Sequence, residues 1–165
     1  MRGFKNPFGR HRDRILQVAV FPEDFRKIWA YIARKGYQRG VEGKDKLGKP
    51  TVMMLREGKV IGFMATYSNV KYLVAGPLLA DSGRIAYDLI LAYEEVLRRG
   101  GATQYLFSLT KDNPWTNHKR MKLLGDYEEI GQDETLVHYR RIIPETLDFP
   151  SQERVVSSIQ QMEET

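Results

Sequence analysis

Residues 76–95, GPLLADSGRIAYDLILAYEE, decide the fold, because they join the end of an apolar strand to the start of a long amphipathic helix. The first N–H groups of a helix that begins here point outward and carry a partial positive charge. Such a turn suits a phosphate group. Gly83 lets a ligand approach the backbone closely, and Arg84 supplies several N–H donors. Simple helix capping by Asp81 or Ser82 explains the same residues without a ligand.

The composition predicts one domain without disulfides or a membrane span. The chain has 165 residues and is 42% hydrophobic, which is enough apolar mass for one core. It has no cysteine, which excludes thiolate chemistry and cysteine-ligated zinc and fits a reducing, cytoplasmic location. His11, His118 and His138 lack metal-ligand spacing, so no metal site is predicted. The apolar stretch 60–80 is interrupted by a lysine, glycines and a proline, and predicts two strands.

Opposite charges lie at the two ends of the chain. Residues 1–14 hold five basic residues against one aspartate, net +4, and residues 144–165 hold one arginine against five acids, net −4. We therefore predict a basic amino-terminal arm over 1–14, a folded domain over 15–143 and an acidic extension over 144–165. The arm is expected to stay outside the domain. It would contact an acidic protein partner, the acidic tail of a second copy or nucleic acid, or remain a solvated tail.

Hydrophobic periodicity and turn residues predict the order β-α-β-β-β-α-β-α-β-β. The predicted elements are strand 15–20, a helix from Pro22 to a stop at Gly36, hairpin strands 51–55 and 59–67, strand 71–79, helix 84–99, strand 103–109, a helix from Asn113 to about Leu124, and strands 127–130 and 135–141. Strand 71–79 must splay, bulge or lie at a sheet edge, because Pro77 cannot donate to the ladder. Strand 103–109 is expected to be fully buried. It should lie parallel to strand 71–79, since helix 84–99 crosses between them.

This order of elements resembles the GNAT family of acyl-CoA-dependent N-acyltransferases over about residues 15–141. Gly58 and Gly62, in EGKVIGFMA, are similar to the family's glycine-containing hairpin. Residues 78–86 occupy the place of its pyrophosphate loop, and residues 113–127 resemble the segment that starts with Asn and ends after Leu-Gly. The resemblance implies an α/β (α+β mixed sheet) chain with the GNAT-like acyl-CoA N-acyltransferase fold. It also implies transfer of acetyl from acetyl-CoA to a small-molecule or protein amine.

The resemblance further implies the residues of a site. For the cofactor it implies contacts from Leu78, Leu79, Ser82, Gly83, Arg84, Ile85 and Ala86. For the reacting end it implies Asn113 and His118. His118 would replace the tyrosine with which the family often protonates the leaving thiolate, because the position of that tyrosine is Met121 here. Asp81 departs from the family's Gln or Arg, so we expect Asp81→Arg to tighten coenzyme A binding. No acidic residue of the central strands is predicted as a base for the amine.

A second hypothesis keeps the fold without the chemistry. The segment 118–125, HxxMxxLG, resembles small GNAT-like proteins found among phage virion components. Charged ends of opposite sign suit assembly contacts, so the partner would be another protein and the location the virion. The sequence leaves the enzyme and the non-catalytic interaction protein open as alternatives.

Overall fold

Eight strands and two helices make up the part of the chain that the computed structural model describes, which is residues 3–5, 13–36, 47–68, 71–113 and 125–145. Their order is β1–β2–α1–β3–β4–β5–α2–β6–β7–β8. The bounds are β1 Gly3–Lys5, β2 Arg14–Val18, α1 Pro22–Lys35, β3 Val52–Arg56, β4 Lys59–Thr66, β5 Ala75–Ala80, α2 Gly83–Arg99, β6 Gln104–Thr110, β7 Tyr127–Gln132 and β8 Leu136–Ile142.

The strands form two antiparallel sheets that meet at one point. The first sheet has the order β1-β2-β3-β4-β5 and the second the order β6-β8-β7. One parallel bridge between Val74 and Leu106 joins them, where the Leu106 N–H donates to the Leu73 carbonyl at 2.9 Å. Beyond this bridge β5 stays paired with β4 and β6 with β8. The predicted mixed α+β class is confirmed, and the two predicted parallel neighbours touch and then diverge.

Helix α1 begins and ends where its sequence signals predict. Pro22 is its first residue, and the Asp24 carboxylate accepts from the Val20 and Phe21 N–H groups, both at 3.0 Å. These contacts satisfy donors that a helix start leaves without partners in the helix. The helix stops at Gly36, whose φ of 71° lies in the left-handed region that favours glycine.

The central strands of the first sheet, β3 and β4, are buried on both faces, with α1 on one and α2 on the other. One cluster of buried side chains packs on the α1 face and includes Ile28 and Phe63, and another packs on the α2 face and includes Met54 and Leu89. A Cβ at Gly62 would lie 2.9 Å from a methyl of Ile85 and 3.0 Å from one of Leu89. Glycine is therefore required for α2 to pack this closely on β4.

The other strands confirm some predictions and correct others. The turn after Arg56 joins β3 and β4 as a hairpin, and the register of β5 shifts near Gly76-Pro77 while β5 lies at a sheet edge. The expectation of a fully buried strand 103–109 was wrong, because Tyr105 alone is buried in β6. The predicted helix 113–124 lies outside the described residues beyond Asn113, as do residues 146–165.

The amino-terminal arm is also corrected in part. Residues 3–5 do not stay outside the body, because β1 pairs antiparallel with β2 at the edge of the first sheet. Arg14, which was assigned to the arm, is a residue of β2 and is only 6% exposed. Burial lowers the pKa of Arg14, and the nearby Arg56 lowers it further, while Asp88 and Asp13 act in the opposite direction. Neither described helix is long and apolar enough to cross a membrane.

Candidate functional site

The strands β5 and β6 part beyond the Val74–Leu106 bridge, and we call the gap between them the cleft. It begins at the Val74–Leu106 bridge and extends along the outer edge of β5 to the turn before α2. From Ala75 to Ala80 this edge is about 17 Å long at ~3.3 Å per residue. In the described part of the chain, no strand pairs with it beyond the bridge. Its backbone groups can therefore bind an extended, amide-containing ligand, as sheet edges do for peptides.

The amino terminus of α2 forms the wide end of this cleft. Ser82 is the capping residue, since its Oγ accepts from the Ile85 N–H at 3.2 Å and its carbonyl accepts from the Ala86 N–H at 3.0 Å. Of the two candidate caps, Asp81 and Ser82, the structure therefore has Ser82, and the Ile85 and Ala86 N–H groups are engaged within the helix. A Cβ at Gly83 would meet no heavy atom within 4 Å, so this turn is open to an anion.

Asp81 is paired with helix α1 and does not present a bare negative charge to the cleft. Its Oδ1 accepts from the Tyr31 hydroxyl at 3.0 Å and lies 3.0 Å from the Lys35 ammonium group. Tighter coenzyme A binding by Asp81→Arg requires an uncompensated carboxylate at position 81, and Lys35 already compensates it. An arginine at position 81 would instead face Lys35 with like charge.

Arg84, one of the residues for which the resemblance implies a cofactor contact, is the second residue of α2. Its side chain is 58% exposed and its Nε lies 3.4 Å from Oδ1 of the buried Asp88, one helical turn further on. The charge of Arg84 is therefore shared with Asp88. The guanidinium group still reaches solvent at the open end of the cleft.

The remaining predicted cofactor residues contribute mainly backbone or apolar surface. Leu78 packs toward the cluster under α2 and Leu79 toward the cluster under α1, so they lie on opposite faces of β5. Both are half-buried. Ile85 and Ala86 are 2% and 8% exposed, which leaves their side chains in the core.

Of the two residues predicted for the reacting end, Asn113 alone lies among the described residues. Asn113 is half-buried in the turn that follows β6, and its N–H donates to the Thr110 carbonyl at 3.0 Å. His118 and Met121 lie outside the described residues. Their predicted roles stay predictions.

A buried ion pair ties α2 to the second sheet behind the cleft. The Arg141 Nε and Nη2 groups donate to the two oxygens of Glu94 at 2.7 and 3.0 Å, and the Tyr105 hydroxyl donates to Glu94 at 2.6 Å. Arg141 is 0% exposed and also donates to the Asp126 carbonyl at 3.0 Å. Burial alone would lower the pKa of Arg141, but the hydrogen bonds and charge of Glu94 outweigh it and raise the pKa.

A second polar contact ties α2 to the first sheet. The Tyr93 hydroxyl lies 2.7 Å from Thr66 Oγ1, which itself donates to the Pro50 carbonyl at 2.8 Å. Because Thr66 has one hydroxyl proton, Tyr93 is the donor in their contact. Burial raises the pKa of Tyr93 to about 12.

Sequence reasoning missed one polar arrangement on the second sheet. Ser108 Oγ lies 2.6 Å from His138 Nδ1, and His138 Nε2 lies 3.2 Å from Asp133 Oδ2. The three residues come from β6, β8 and the turn before β8. Alternation along each strand could have placed Ser108 and His138 on one face, but their pairing depends on a register that alternation does not fix.

The fold is similar to solved N-acetyltransferase structures at low sequence identity. The ribosomal-protein-S18-alanine N-acetyltransferase from Escherichia coli has a TM-score of 0.56 and 12% identity, over 82% of this chain and 99% of that chain. Nourseothricin acetyltransferase has a TM-score of 0.55 and 11% identity, over 80% and 99%. The N-acetyltransferase from Staphylococcus aureus Mu50 has a TM-score of 0.52 and 15% identity, over 79% and 99%. No family model and no curated protein matches the sequence. The chain has the fold of the GNAT N-acetyltransferases.

Proposed function

We propose that this protein transfers an acyl group, with acetyl as the first candidate, from an acyl-coenzyme A to an amine. The observation that carries the proposal is the cleft between β5 and β6, which starts at the Val74–Leu106 bridge and ends at the open turn of α2. A molecule with a charged pyrophosphate at one end and an extended amide-containing arm matches both features. The shared fold with N-acetyltransferases supports this choice of ligand.

The residues around the turn fit a pyrophosphate. Gly83 leaves space above the first turn of α2, and the exposed guanidinium of Arg84 lies beside it. Lys35 offsets the negative charge of Asp81, which would otherwise repel an anion. These groups would hold the pyrophosphate at the wide end, so the arm would run along β5 toward the Val74 bridge.

The chemistry then takes place near the narrow end of the cleft. A bound acyl-coenzyme A supplies an activated thioester, and the chain supplies position and hydrogen bonds. Backbone N–H groups at the edge of β5 would stabilise negative charge on the acyl oxygen. The amine attacks directly, and no nucleophile of the chain is needed.

Calorimetric titration of the purified protein with acetyl-CoA tests the binding step. We expect heat of binding for the unmodified chain and for Gly83→Ala, because a methyl group at this position meets open space. Gly83→Asp places a carboxylate in the same space and should weaken binding at least about tenfold by repulsion of the pyrophosphate. A carboxylate at a helix start does not destabilise the helix, so loss of folding does not confound the comparison.

Release of free thiol from acetyl-CoA with a panel of small amines and lysine peptides tests the transfer step. Absence of binding by the unmodified chain, or equal binding by Gly83→Ala and Gly83→Asp, contradicts the proposed site. Binding without transfer to any amine favours the alternative, a non-catalytic interaction protein on this fold.

A further inference from the structure

A line of hydrogen bonds crosses the second sheet on the face that turns away from α2. Ser108 and His138 lie directly opposite each other in the register of β6 and β8. Their neighbours Phe107 and Tyr139 stack at 5.0 Å between ring centres and pack toward α2. Because successive side chains of a strand alternate, Ser108 and His138 point to the other face. Asp133 completes the line through His138 Nε2.

Asp133 is held as a carboxylate, and this determines which atoms donate and which accept in the two hydrogen bonds of His138. Its Oδ1 accepts from the backbone N–H groups of Thr135 and Leu136, both at 2.8 Å. These hydrogen bonds lower the pKa of Asp133 to about 2, so near neutral pH it only accepts. His138 Nε2 must then carry a proton and donate to Asp133. In the neutral ring Nδ1 is left as an acceptor, so the Ser108 hydroxyl donates to it.

The exposed end of the line is close to the narrow end of the proposed cleft. Leu106 is the residue of β6 that bridges to the first sheet, and Ser108 follows two residues later on the same face. That separation is about 7 Å along the strand. Ser108 is exposed, and its oxygen keeps lone pairs that accept from an outside donor.

We propose that Ser108, His138 and Asp133 form a relay that removes a proton from the amine substrate, an inference that rests on the proposed acyl transfer. The substrate class is then a basic amine that arrives as an ammonium ion, since only the charged form needs to lose a proton before attack. Ser108 Oγ accepts from the ammonium group, His138 receives the serine proton and Asp133 balances the imidazolium charge.

The atoms and charges of this sequence balance. One ammonium proton passes to Ser108 Oγ as the Ser108 hydroxyl proton passes to His138 Nδ1, which leaves a neutral amine and an imidazolium ion. The nitrogen lone pair forms the C–N bond to the acyl carbon while the C–S bond breaks. The second nitrogen proton goes to the departing thiolate. The products are an amide, a thiol and an imidazolium ion that returns its proton to water.

The tautomer of His138 tests the relay without any enzymatic activity. Long-range proton–nitrogen correlation spectra of isotope-labelled protein, at a pH where the ring is neutral, should show the proton on Nε2. Asp133→Asn should reduce this preference, because a carboxamide can also donate to the ring. Thr110→Ala, on the same face of β6, should leave the spectrum unchanged. A proton on Nδ1 of His138 in the unmodified chain overturns the relay.

Kinetics provide the second test. Ser108→Ala should lower kcat for an ammonium substrate about 100-fold near neutral pH, with KM and acetyl-CoA binding unchanged. The deficit should shrink as the pH rises toward the pKa of the substrate amine, which then arrives neutral. The next charged pair on this face of the described sheet, Arg140 with Glu128, is not part of the relay, and Arg140→Met should retain full activity. A reduction of kcat in Ser108→Ala that stays constant with pH contradicts the relay. Absence of acetyl-CoA binding by the unmodified chain contradicts the acyl-transfer proposal itself.

Discussion

Replacement of Arg141 by methionine should destabilise the protein far more than the same replacement at the adjacent Arg140. Arg141→Met removes two hydrogen bonds to Glu94 and one to the Asp126 carbonyl. Glu94, which is 4% exposed, is then left as an uncompensated buried charge. Breaking a buried pair in this way costs about 3–5 kcal/mol. In a chain of this size each kcal/mol lowers Tm by about 2–4 °C, so the expected fall is roughly 6–20 °C.

The matched control is Arg140→Met on the same strand. Arg140 pairs with Glu128, and the two side chains are 40% and 55% exposed. Exposed pairs of this kind contribute about 0–1 kcal/mol, because water already solvates both charges. The two variants remove the same atoms. They differ in the carboxylate that loses its partner, which is buried for Glu94 and exposed for Glu128.

Urea unfolding followed by circular dichroism measures both free energies of unfolding. The double variant Arg141→Met with Glu94→Leu should be more stable than Arg141→Met alone, since no charge remains buried. It should not regain full stability, because the Tyr105 hydroxyl has then lost its acceptor. A loss of less than about 1 kcal/mol for Arg141→Met, on the scale of an exposed pair, would falsify the argument.

Three further substitutions test other contacts. Gly62→Ala should cost about 1–3 kcal/mol in urea unfolding, because its methyl group would overlap α2, whereas Gly83→Ala should be close to neutral. Asp81→Arg should destabilise the protein and should not tighten acetyl-CoA binding. Lys35→Glu, added to Asp81→Arg, should restore part of the lost stability. If Lys35→Glu changes the stability equally in the Asp81→Arg chain and in the unmodified chain, the two side chains are not paired. The raised pKa of Tyr93 contributes stability that is complete below its unfolded pKa of about 10 and is lost as the pH rises through about 12. Tyr93→Phe should therefore flatten the alkaline loss of stability in that window, and an unchanged slope rules out this assignment.

The sequence predicted elements whose signals are local. Pro22 and Gly36 mark the ends of α1, and the Glu57-Gly58 pair marks the hairpin between β3 and β4, because backbone preferences of single residues act there. Helix α2 was predicted within one residue of its start. Pro77 predicted the irregular edge position of β5, and the crossover rule predicted that β5 and β6 meet in parallel, which they do at one bridge.

The features that sequence reasoning missed depend on contacts between distant segments. Glu94 and Arg141 are 47 positions apart, and nothing local distinguishes them from exposed residues of the same type. The burial of β6 depends on which segments pack against its outer face, and the apolar pattern of QYLFSLT does not predict those segments. The pairing of Ser108 with His138 requires the register of β6 against β8. Strand β1 lies in a strongly basic segment with no alternating pattern of its own.

The burial of β3 and β4 on both faces has a consequence for how the chain distinguishes correct from incorrect strand pairing. In most half-exposed sheets a one-residue slip moves apolar side chains into water, and the hydrophobic effect rejects the error. Every residue of β4 after Lys59 is buried, so a slip would exchange one apolar face for another at little cost in burial. Discrimination must then come from shape and polar contacts, chiefly the absent side chain at Gly62 under α2 and the Thr66 hydroxyl opposite Tyr93. The alignment of this strand therefore depends on two positions that rank low in a hydrophobicity profile of its buried residues.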